Sequence, residues 1–359
     1  VEFTQPIRVV NAGDGSDRLF VIEKPGRILV LPKWRGVGPV AKPQVFLDWR
    51  KICVNKAQGG VLGLAFHPKF GTNKRAFVSY LAENRDPRAP ALKFKLVVAE
   101  IIVRGIVADA LARRTVIEIP KKFPIHQAGH IAFGPEGKLY ISVGDGGSKN
   151  DKDGNAQNPL SLLGKILRID VDSKSPGLGY GIAKGNPWPR IPNQVRPEIW
   201  AFGVRNPWHF AWDGSGRMWI TEPGTTGPES REWVMEVMRA GNHGWPFYEG
   251  RRKLSALPPT IRENALVKPV FEWVRGPGGQ GTAGVGGFVY RGARIPALRG
   301  KYVFGDHMRG LVYGIDLVGA SGKVRGANFK TLGDVPDLSA IGEDEQGELY
   351  FCSFEAGMI

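Results

Sequence analysis

The feature that most constrains the fold is a pair of short hydrophobic runs that recurs along the chain. In its clearest copy the two runs flank the tight-turn sequence Pro135-Glu136-Gly137, a pattern typical of a β-hairpin. Copies occur in residues 13–31, 62–80, 126–147, 210–221, 287–315 and 340–352. Because an internal repeat at this spacing indicates a repeat architecture, the copies are predicted to be equivalent units of one fold.

Each unit carries an aromatic residue in the strand after its turn. These residues are Phe20, Phe77, Tyr140, Trp219, Tyr302 and Tyr350, roughly 50 to 80 residues apart. That spacing leaves room for one four-stranded blade plus insertions. The sequence therefore predicts an all-β fold, a six-bladed β-propeller with four-stranded antiparallel blades, as a single domain over residues 1–359. The aromatic residues are interpreted as packing between blades.

Glycine and proline fit this prediction because they are spread along the chain, with 49 and 27 copies in 359 residues. Many short strands joined by tight turns need such a composition, and long helices do not. Segments 85–97, 174–197 and 251–285 are interpreted as insertions that cover one face. The last unit stops one strand short, so its blade is expected to take a strand from the N-terminal segment or from residues outside this chain.

The chain is strongly basic, with 49 Lys and Arg against 34 Asp and Glu and a formal charge of +15. Such a surface attracts acidic partners: nucleic acid, anionic surfaces, an acidic redox protein or a polyanionic cofactor. The basic residues are scattered, however, and no nucleic-acid-binding motif accompanies them, so we expect no nucleic-acid partner.

The sequence carries few signals of cellular location and only two cysteines. No run of eighteen apolar residues exists, which predicts no membrane span. Residues 1–4 do not form a signal peptide, so either the protein is cytosolic or a signal was removed before this numbering begins. Cys53 and Cys352 lie near opposite ends of the chain; two buried free thiols are favoured over a disulfide between them.

The candidate site begins with His126 and Asp145, which flank the third hairpin. Because the two strands of a hairpin run antiparallel, the residues before and after it meet at one edge, placing a proton acceptor beside a carboxylate. Polar loops occupy equivalent places in neighbouring units, at Gln58, Arg205-Asn206 and residues 222–227. Taken singly, each has a structural reading as a turn residue or a surface ion pair. Together they favour a shared site on one face.

Several motifs in order along nearly the whole chain resemble the soluble quinoprotein glucose and aldose sugar dehydrogenases. They are Gln58-Gly59-Gly60-Val61-Leu62-Gly63, His126-Gln127-Ala128-Gly129, Val143-Gly144-Asp145, residues 162–170, Arg205-Asn206-Pro207-Trp208 and Gly241-Asn242-His243-Gly244-Trp245-Pro246. The same fold includes Hedgehog-interacting-protein-like domains, which this chain also resembles in some features.

The resemblance implies binding of pyrroloquinoline quinone (PQQ) and Ca²⁺ and oxidation of an aldose at C1 to a lactone. It implies that His126 is the general base, that Asp145 holds its tautomer, and that Arg205 stabilises charge on the quinone oxygen. Gln58 and Asn206 would fix the cofactor, and His126, Arg205 and Arg309 would also contact it. The backbone carbonyls of Gly224 and Thr225 would hold Ca²⁺. Electrons would pass to an external acceptor, which the basic surface would suit if that acceptor is an acidic protein. Export to the periplasm or secretion is expected, with the signal removed.

The chain departs from the glucose dehydrogenase pattern at its fifth and sixth units. Met308 stands where a lysine is expected, and an expected arginine pair falls at Asp337-Leu338-Ser339, so Arg309 is the remaining cationic candidate there. Trp233 and His243 stand where the family often has Glu and Tyr, which argues against a second calcium site. These departures keep open a non-enzymatic propeller that binds a protein or glycan partner on the same face. A calcium-dependent hydrolase or lactonase is the weaker alternative, since only Asp145, Asp306 and Glu222 lie near the right loops.

Overall fold

A computed structural model of the protein describes residues 2–32, 42–189, 194–274 and 283–359. The first sheet contains β1 (Pro6–Asn11), β2 (Leu19–Glu23), β3 (Arg27–Leu31) and β4 (Gln44–Asp48), and the second contains β5 (Val61–Phe66), β6 (Arg75–Glu83), β7 (Phe94–Arg104) and β8 (Val107–Lys121). The third contains β9 (Ala128–Phe133), β10 (Leu139–Val143), β11 (Lys165–Asp170), β12 (Gly181–Ile182) and β13 (Ile199–Phe202). The fourth contains β14 (His209–Trp212), β15 (Met218–Glu222), β16 (Arg231–Glu236) and β19 (Phe271–Val274). A separate ribbon pairs β17 (Tyr248–Glu249) with β18 (Arg252–Lys253). The remaining two sheets are formed by β20 (Gly284–Val289), β21 (Lys301–Asp306), β22 (Leu311–Val318) and β23 (Arg325–Asp334), and by β24 (Leu338–Glu343) and β25 (Leu349–Ser353).

Helical structure in the described residues is confined to short pieces. One α-helix, α1, covers Phe70–Asn73, and 3₁₀ turns cover Lys149–Asp151, Glu263–Ala265 and Pro296–Leu298. All strand pairs within the six sheets are antiparallel. The all-β prediction is confirmed.

The same tight turn closes several of the predicted hairpins. Between β9 and β10, Gly134 N–H donates to Lys138 O at 2.9 Å and Gly137 adopts φ +77°. Between β14 and β15, Asp213 N–H donates to Arg217 O at 2.9 Å, and Gly216 has φ +81°. Glycine is favoured at this position because other residues adopt a positive φ only with strain. The turn therefore fixes the register that the sequence pattern predicted.

The recurring aromatic residues lie in the interior, as predicted. All six are buried, and pairs of aromatic rings join adjacent sheets: Phe20 lies 4.6 Å from Phe66, and Trp219 lies 6.3 Å from Tyr302, between ring centroids. Such pairs contribute about 0.5–1.5 kcal/mol beyond the burial of their area. The aromatic residues thus hold neighbouring sheets together.

The first strands of successive sheets contact one another in chain order. β1 contacts β5, β5 contacts β9, β9 contacts β14, β14 contacts β20, β20 contacts β24, and β24 contacts β1. This is the arrangement of a β-propeller, in which the innermost strands surround a central channel. Loops at either end of these strands consequently gather over the same axis.

The prediction of four strands in every blade is wrong for the last sheet, which has only β24 and β25 in the described part of the chain. After β25 the chain turns back, and Ser353 pairs with Met358. The N-terminal segment does not supply a strand there; Phe3 N–H donates to Gly357 O at 2.8 Å, and β1 belongs to the first sheet. In the third sheet, two short strands, β12 and β13, both pair with β11 where a single fourth strand was expected.

A smaller prediction, on the two cysteines, is confirmed. Cys53 and Cys352 are buried free thiols. Within the described ranges, no helix is long and apolar enough to cross a membrane. Parts of the predicted insertions, residues 190–193 and 275–282, lie outside the described residues.

Candidate functional site

A pocket of about 440 Å³ lies where the loops that precede the innermost strands meet. Its lining comprises Ile7, Lys24, Ala57, Gln58, His126, Arg205, Asn206, Trp208, Pro223, Gly224, Ala283, Gly284, Val285, His307, Ser339 and Phe354. Five residues singled out from the sequence, from three different sheets, therefore share one cavity. Those five are Gln58, His126, Arg205, Asn206 and Gly224.

His126 and Asp145 meet at the open end of the third hairpin. His126 Nδ1 lies 2.7 Å from Asp145 Oδ1, and Asp145 also accepts from Gly147 N–H at 2.8 Å and from Trp245 Nε1–H at 2.9 Å. Burial raises the pKa of the Asp145 carboxyl, but the hydrogen bond and charge of His126, the Gly147 N–H and the charge of Arg205 outweigh burial and hold that pKa below its usual range. An ionised Asp145 keeps the proton of a neutral His126 on Nδ1 and leaves Nε2 as the basic atom.

The backbone of His126 is held from two sides. Its N–H donates to Gln58 Oε1 at 2.6 Å, and its carbonyl accepts from Lys121 Nζ at 2.7 Å. The carbonyl also lies so close to Gly144 that a Cβ there would approach it to 2.1 Å, so only glycine fits. Gln58 and Lys121 thereby fix His126 in a left-handed conformation of φ +48°. The role of Lys121 was missed from the sequence, where it appears only as part of a basic pair.

Asn206 and Glu222 join the loops of the third and fourth sheets beneath the pocket. Asn206 Oδ1 accepts from Ala128 N–H at 3.0 Å, which links the loop before β14 to β9. The Glu222 carboxyl accepts from the backbone N–H groups of Arg205 at 3.0 Å and Asn206 at 2.9 Å. Burial raises the pKa of Glu222 to about 8, although those N–H groups and the charge of Arg205 favour its ionised form.

Arg205 is a partly buried cation in the pocket wall. Burial lowers the pKa of its guanidinium, and the carboxylates whose charges oppose this are Asp145, Glu222, Glu232 and Glu249. Its Nη1 donates to Pro223 O at 3.3 Å, and its Cζ lies 5.4 Å from the centre of the Trp245 ring. Its buried Nε has no hydrogen-bond partner among the described residues. A donor left unsatisfied beside a cavity indicates a place for a ligand or water.

The Gly224-Thr225 loop is held from behind by buried carboxylates. Glu249 Oε1 accepts from Thr225 N–H at 2.5 Å and Thr225 Oγ1–H at 2.7 Å, and Glu232 Oε1 accepts from Gly224 N–H at 3.2 Å. Because a trans peptide points its N–H and C=O in opposite directions, the Gly224 carbonyl points away from Glu249. No group of three or more His, Cys, Asp or Glu side chains in the described ranges is arranged to hold a metal.

The other side of the pocket is less polar. Met308 is 60% exposed, and neither Met308 nor Arg309 lines the cavity. The Arg309 side chain instead lies near Tyr313 and Asp306, where burial raises the pKa of both groups and the charge of Arg309 opposes that rise. Of residues 337–339, Ser339 lines the pocket, together with the apolar Phe354.

Three lining residues with polar or aromatic chemistry were missed from the sequence. Lys24 Nζ donates to Asn55 Oδ1 at 2.6 Å at the rim, and His307 Nδ1 lies 3.0 Å from Leu338 O. Trp208 Nε1–H donates to Ser339 O at 3.0 Å and forms part of the floor. Trp208 and His307 had sequence signals: Trp208 ends a motif already singled out, and His307 follows β21 as Asp145 follows β10. Lys24, in the turn between β2 and β3, had none.

Comparison with known proteins identifies a family that this chain matches. The profile of the glucose/sorbosone dehydrogenase family matches residues 3–355. HIPL1 protein of Arabidopsis thaliana is 30% identical over 92% of this chain and 55% of its own length, and mouse Hedgehog-interacting protein is 29% identical over 99% and 49%. Aldose sugar dehydrogenase YliI of Escherichia coli is 26% identical over 81% of this chain and 76% of its own length. The chain thus spans about half the length of the HIPL and Hedgehog-interacting relatives it matches.

Solved structures share the fold. The PQQ-bound aldose sugar dehydrogenase of Streptomyces coelicolor superposes with a TM-score of 0.73 at 20% identity, covering 99% of this chain and 89% of that one. The apo aldose sugar dehydrogenase of Escherichia coli gives 0.73 at 20% identity, covering 99% and 94%. At this identity the likeness concerns the fold.

Proposed function

The chain belongs to the glucose/sorbosone dehydrogenase family, and from this premise we propose that its pocket binds PQQ and Ca²⁺ and oxidises aldose sugars at C1 to lactones. The observation that carries the proposal is the 2.7 Å hydrogen bond between His126 and Asp145 at a cavity shared with Arg205 and Asn206. An imidazole oriented by a buried carboxylate is a general base, and an alcohol oxidation needs one.

The residues present suit an anionic, planar cofactor on one side of the pocket. Arg205 offers a partly buried guanidinium whose Nε is buried and lacks a partner among the described residues, and Lys24 adds a second cation to the lining. Arg205, Asn206 and Gln58 would hold the cofactor, whereas Arg309, the further candidate from the sequence, lies outside the lining. Charge-assisted contacts of this kind contribute about 1.5–3 kcal/mol each.

PQQ, when bound, supplies a two-electron acceptor for the hydride of the sugar C1. His126 takes the C1 hydroxyl proton on Nε2, because Nδ1 is engaged by Asp145. The ionised Asp145 stabilises the imidazolium that results. Arg205 places positive charge beside the site, where it stabilises negative charge that develops on an oxygen. Electrons leave to an external acceptor, and the net charge of +15 suits an acidic redox protein.

Ca²⁺ would be held by the backbone carbonyls of Gly224 and Thr225. It is a hard cation that takes oxygen ligands, so two carbonyls, water and ligand oxygens form a reasonable set. The loop supports this because its N–H groups are bound by the buried Glu232 and Glu249. Those carboxylates also lower the electrostatic cost of a cation nearby.

We further propose that the six sheets are six blades of a single domain spanning residues 1–359. The chain order of contacts between first strands, with β24 against β1, supports this count. Action in the periplasm or after secretion is proposed from the family resemblance.

Reconstitution tests the function. The purified protein is incubated with PQQ and CaCl₂, and reduction of an artificial electron-accepting dye is followed with a panel of aldoses. We expect turnover that requires both PQQ and Ca²⁺ and ceases in the His126→Ala variant. Absence of turnover with every aldose, under conditions where PQQ binding is saturated, would overturn the proposal.

A second function is favoured by a specific observation. Met308 and residues 337–339 bring no basic side chain to the far side of the pocket, and HIPL and Hedgehog-interacting proteins are among the relatives near 30% identity. The alternative is a non-enzymatic propeller that binds a protein or glycan on the same face. It predicts that PQQ fails to bind while a glycan array or partner screen yields a ligand whose binding is lost on mutation of the pocket rim.

A further inference from the structure

A second cavity, of about 510 Å³, lies at the opposite end of the central channel. The candidate active site is bordered by the segments that lead into the innermost strands. This cavity is bordered instead by the C-terminal parts of those strands and the residues that follow them, such as residues 8–13 for β1 and 130–135 for β9. Trp208 separates the two spaces: it lines the first pocket, and its carbonyl accepts from Arg8, which lines the second. Nothing in the proposed chemistry uses this second cavity.

Three nitrogen-bearing side chains from three different sheets line it deep in the channel. Arg8 comes from β1, His130 from β9 and His209 from β14, and their exposed fractions are 1%, 6% and 3%. The rings of His130 and His209 lie 4.5 Å apart between centroids. Phe288 packs 4.8 Å from His209 and closes that side with an apolar ring.

Each of these side chains has a buried nitrogen without a partner in the described part of the chain. The orphaned atoms are Arg8 Nη1, His130 Nδ1 and His209 Nδ1. The other Arg8 nitrogens are satisfied, Nε by Leu62 O at 3.2 Å and Nη2 by Trp208 O at 3.1 Å. His130 Nε2 lies 3.1 Å from Phe210 O, which fixes its proton on that atom. Three orphaned polar atoms around one cavity mark a site that an absent group completes.

Among the described residues, the charge of Arg8 also lacks a counter-ion. Burial lowers the pKa of Arg8 to about 10, so the guanidinium is still a cation at neutral pH. The ionisable side chain that acts on it is Cys352, whose thiol pKa burial raises to about 12, which leaves it uncharged. Glu343, at the edge of the cavity, is paired with Arg291 at 2.9 Å. A buried charge without compensation is strongly unfavourable, so an anion is expected beside it.

We propose that this end of the channel is a binding site for a small inorganic anion of halide size, held by Arg8 and His209. Arg8 Nη1–H and the Nδ1–H tautomer of His209 are its donors, and His130 borders the site. A metal cation is disfavoured by the uncompensated Arg8, although two imidazoles are present. The anion neutralises Arg8, whose Nη2 donates to Trp208 O. It thereby stabilises the contact between β1 and Trp208, which forms part of the floor of the candidate active site.

Bromide is the probe, because it is detected by anomalous scattering. Crystals of the full chain grown in sodium bromide should show an anomalous peak within hydrogen-bond distance of Arg8 Nη1. In solution, replacing sodium HEPES by sodium bromide at constant ionic strength should raise the melting temperature by about 4 °C with saturation. The rise should be absent in the Arg8→Met variant and present in a surface variant, Arg85→Met, whose side chain is 87% exposed.

The crystal experiment uses the unaltered protein, so the proposal is testable even if Arg8→Met does not fold. Ordered water alone beside Arg8, or bromide peaks confined to the outer surface as an adventitious ion only, would overturn the site. A melting temperature that responds equally to both salts would do the same.

Discussion

The two sides of the candidate pocket are built on different principles. On the reactive side, formed by Gln58, His126, Arg205 and Asn206, buried hydrogen bonds from neighbouring loops fix each group. The far side, formed by residues 283–285, His307, Ser339 and Phe354, brings backbone, small or apolar groups and a single imidazole. The residues that move a proton are therefore preorganised, whereas the far side lacks the basic side chains that the family pattern leads one to expect there for an anionic cofactor.

This difference separates two properties of the proposed enzyme, the rate of its chemical step and its affinity for the cofactor. Preorganised groups on rigid strands support catalysis because they need no rearrangement at the moment of reaction. Cofactor retention depends instead on the number of charge-assisted contacts, and on the far side that number is reduced. We therefore expect an intact chemical step and weakened cofactor binding.

The largest effect is expected from removing the base on the reactive side. His126→Ala should lower kcat for dye reduction by about 10²–10⁴-fold, the usual contribution of a general base. PQQ binding, measured by quenching of tryptophan fluorescence, should change far less. Full activity in this variant would break the assignment of roles even if the enzyme class survived.

The carboxylate behind the base should have the next largest effect. Asp145→Asn keeps the shape but no longer secures the Nδ1–H tautomer, so kcat should fall by about 10²-fold or more. Asp172→Asn is the matched control, because Asp172 lies 3.1 Å from His67 in a pair distant from the pocket. Equal losses in both variants would show that the Asp145 effect is structural.

A third prediction concerns Glu222, which supports the reactive side from below. Its folded-state pKa, about 8, lies above the ordinary value of 4.5. Its contribution to stability is thus fully present below the unfolded pKa and is lost as pH rises through 8. The free energy of unfolding of the wild type, relative to Glu222→Gln, should fall by about 2 kcal/mol between pH 6 and pH 8.

Urea unfolding of both proteins at the two pH values measures this difference. Glu229→Gln is the control, since the Glu229 side chain is 79% exposed; its difference from wild type should not depend on pH. A Glu222→Gln difference that stays constant between pH 6 and pH 8 would contradict a neutral, buried Glu222.

The smallest effect is expected on the far side, where it sharpens the comparison. Met308→Lys restores the cation that the family pattern leads one to expect. Because Met308 is 60% exposed, the gain should be about 1 kcal/mol, or roughly fivefold tighter PQQ binding, with kcat unchanged. Met308→Gln, similar in length and uncharged, should leave the affinity as it is. If Met308→Lys raised kcat instead, the separation of the two sides would be wrong.

Local patterns in the sequence were sufficient for the hairpins and for the meeting of His126 and Asp145. A tight turn sets the register of two strands, and register decides which residues share an edge. The buried aromatic residues followed from the same repeat. These inferences needed only contacts between residues close in the chain.

The hydrogen bonds that support the site could not be predicted from the sequence, because they join residues that are far apart in the chain. Trp245 donates to Asp145 across 100 positions, and Glu249 binds Thr225 from a ribbon that the hairpin pattern does not include. Arg8 and His209 meet only because the first and fourth sheets face one channel. The two-stranded last sheet likewise depends on how the chain turns after Ser353, which no periodicity encodes.

Single turnover is the most direct test of the claim that this pocket is a sugar dehydrogenase site with an intact reactive side. The protein is loaded with saturating PQQ and Ca²⁺, and the absorbance of the bound quinone is followed after an aldose is added without any acceptor. The account predicts bleaching of the oxidised quinone in the wild type and none, on the same time scale, in His126→Ala. Bound PQQ that stays oxidised with every aldose would contradict it.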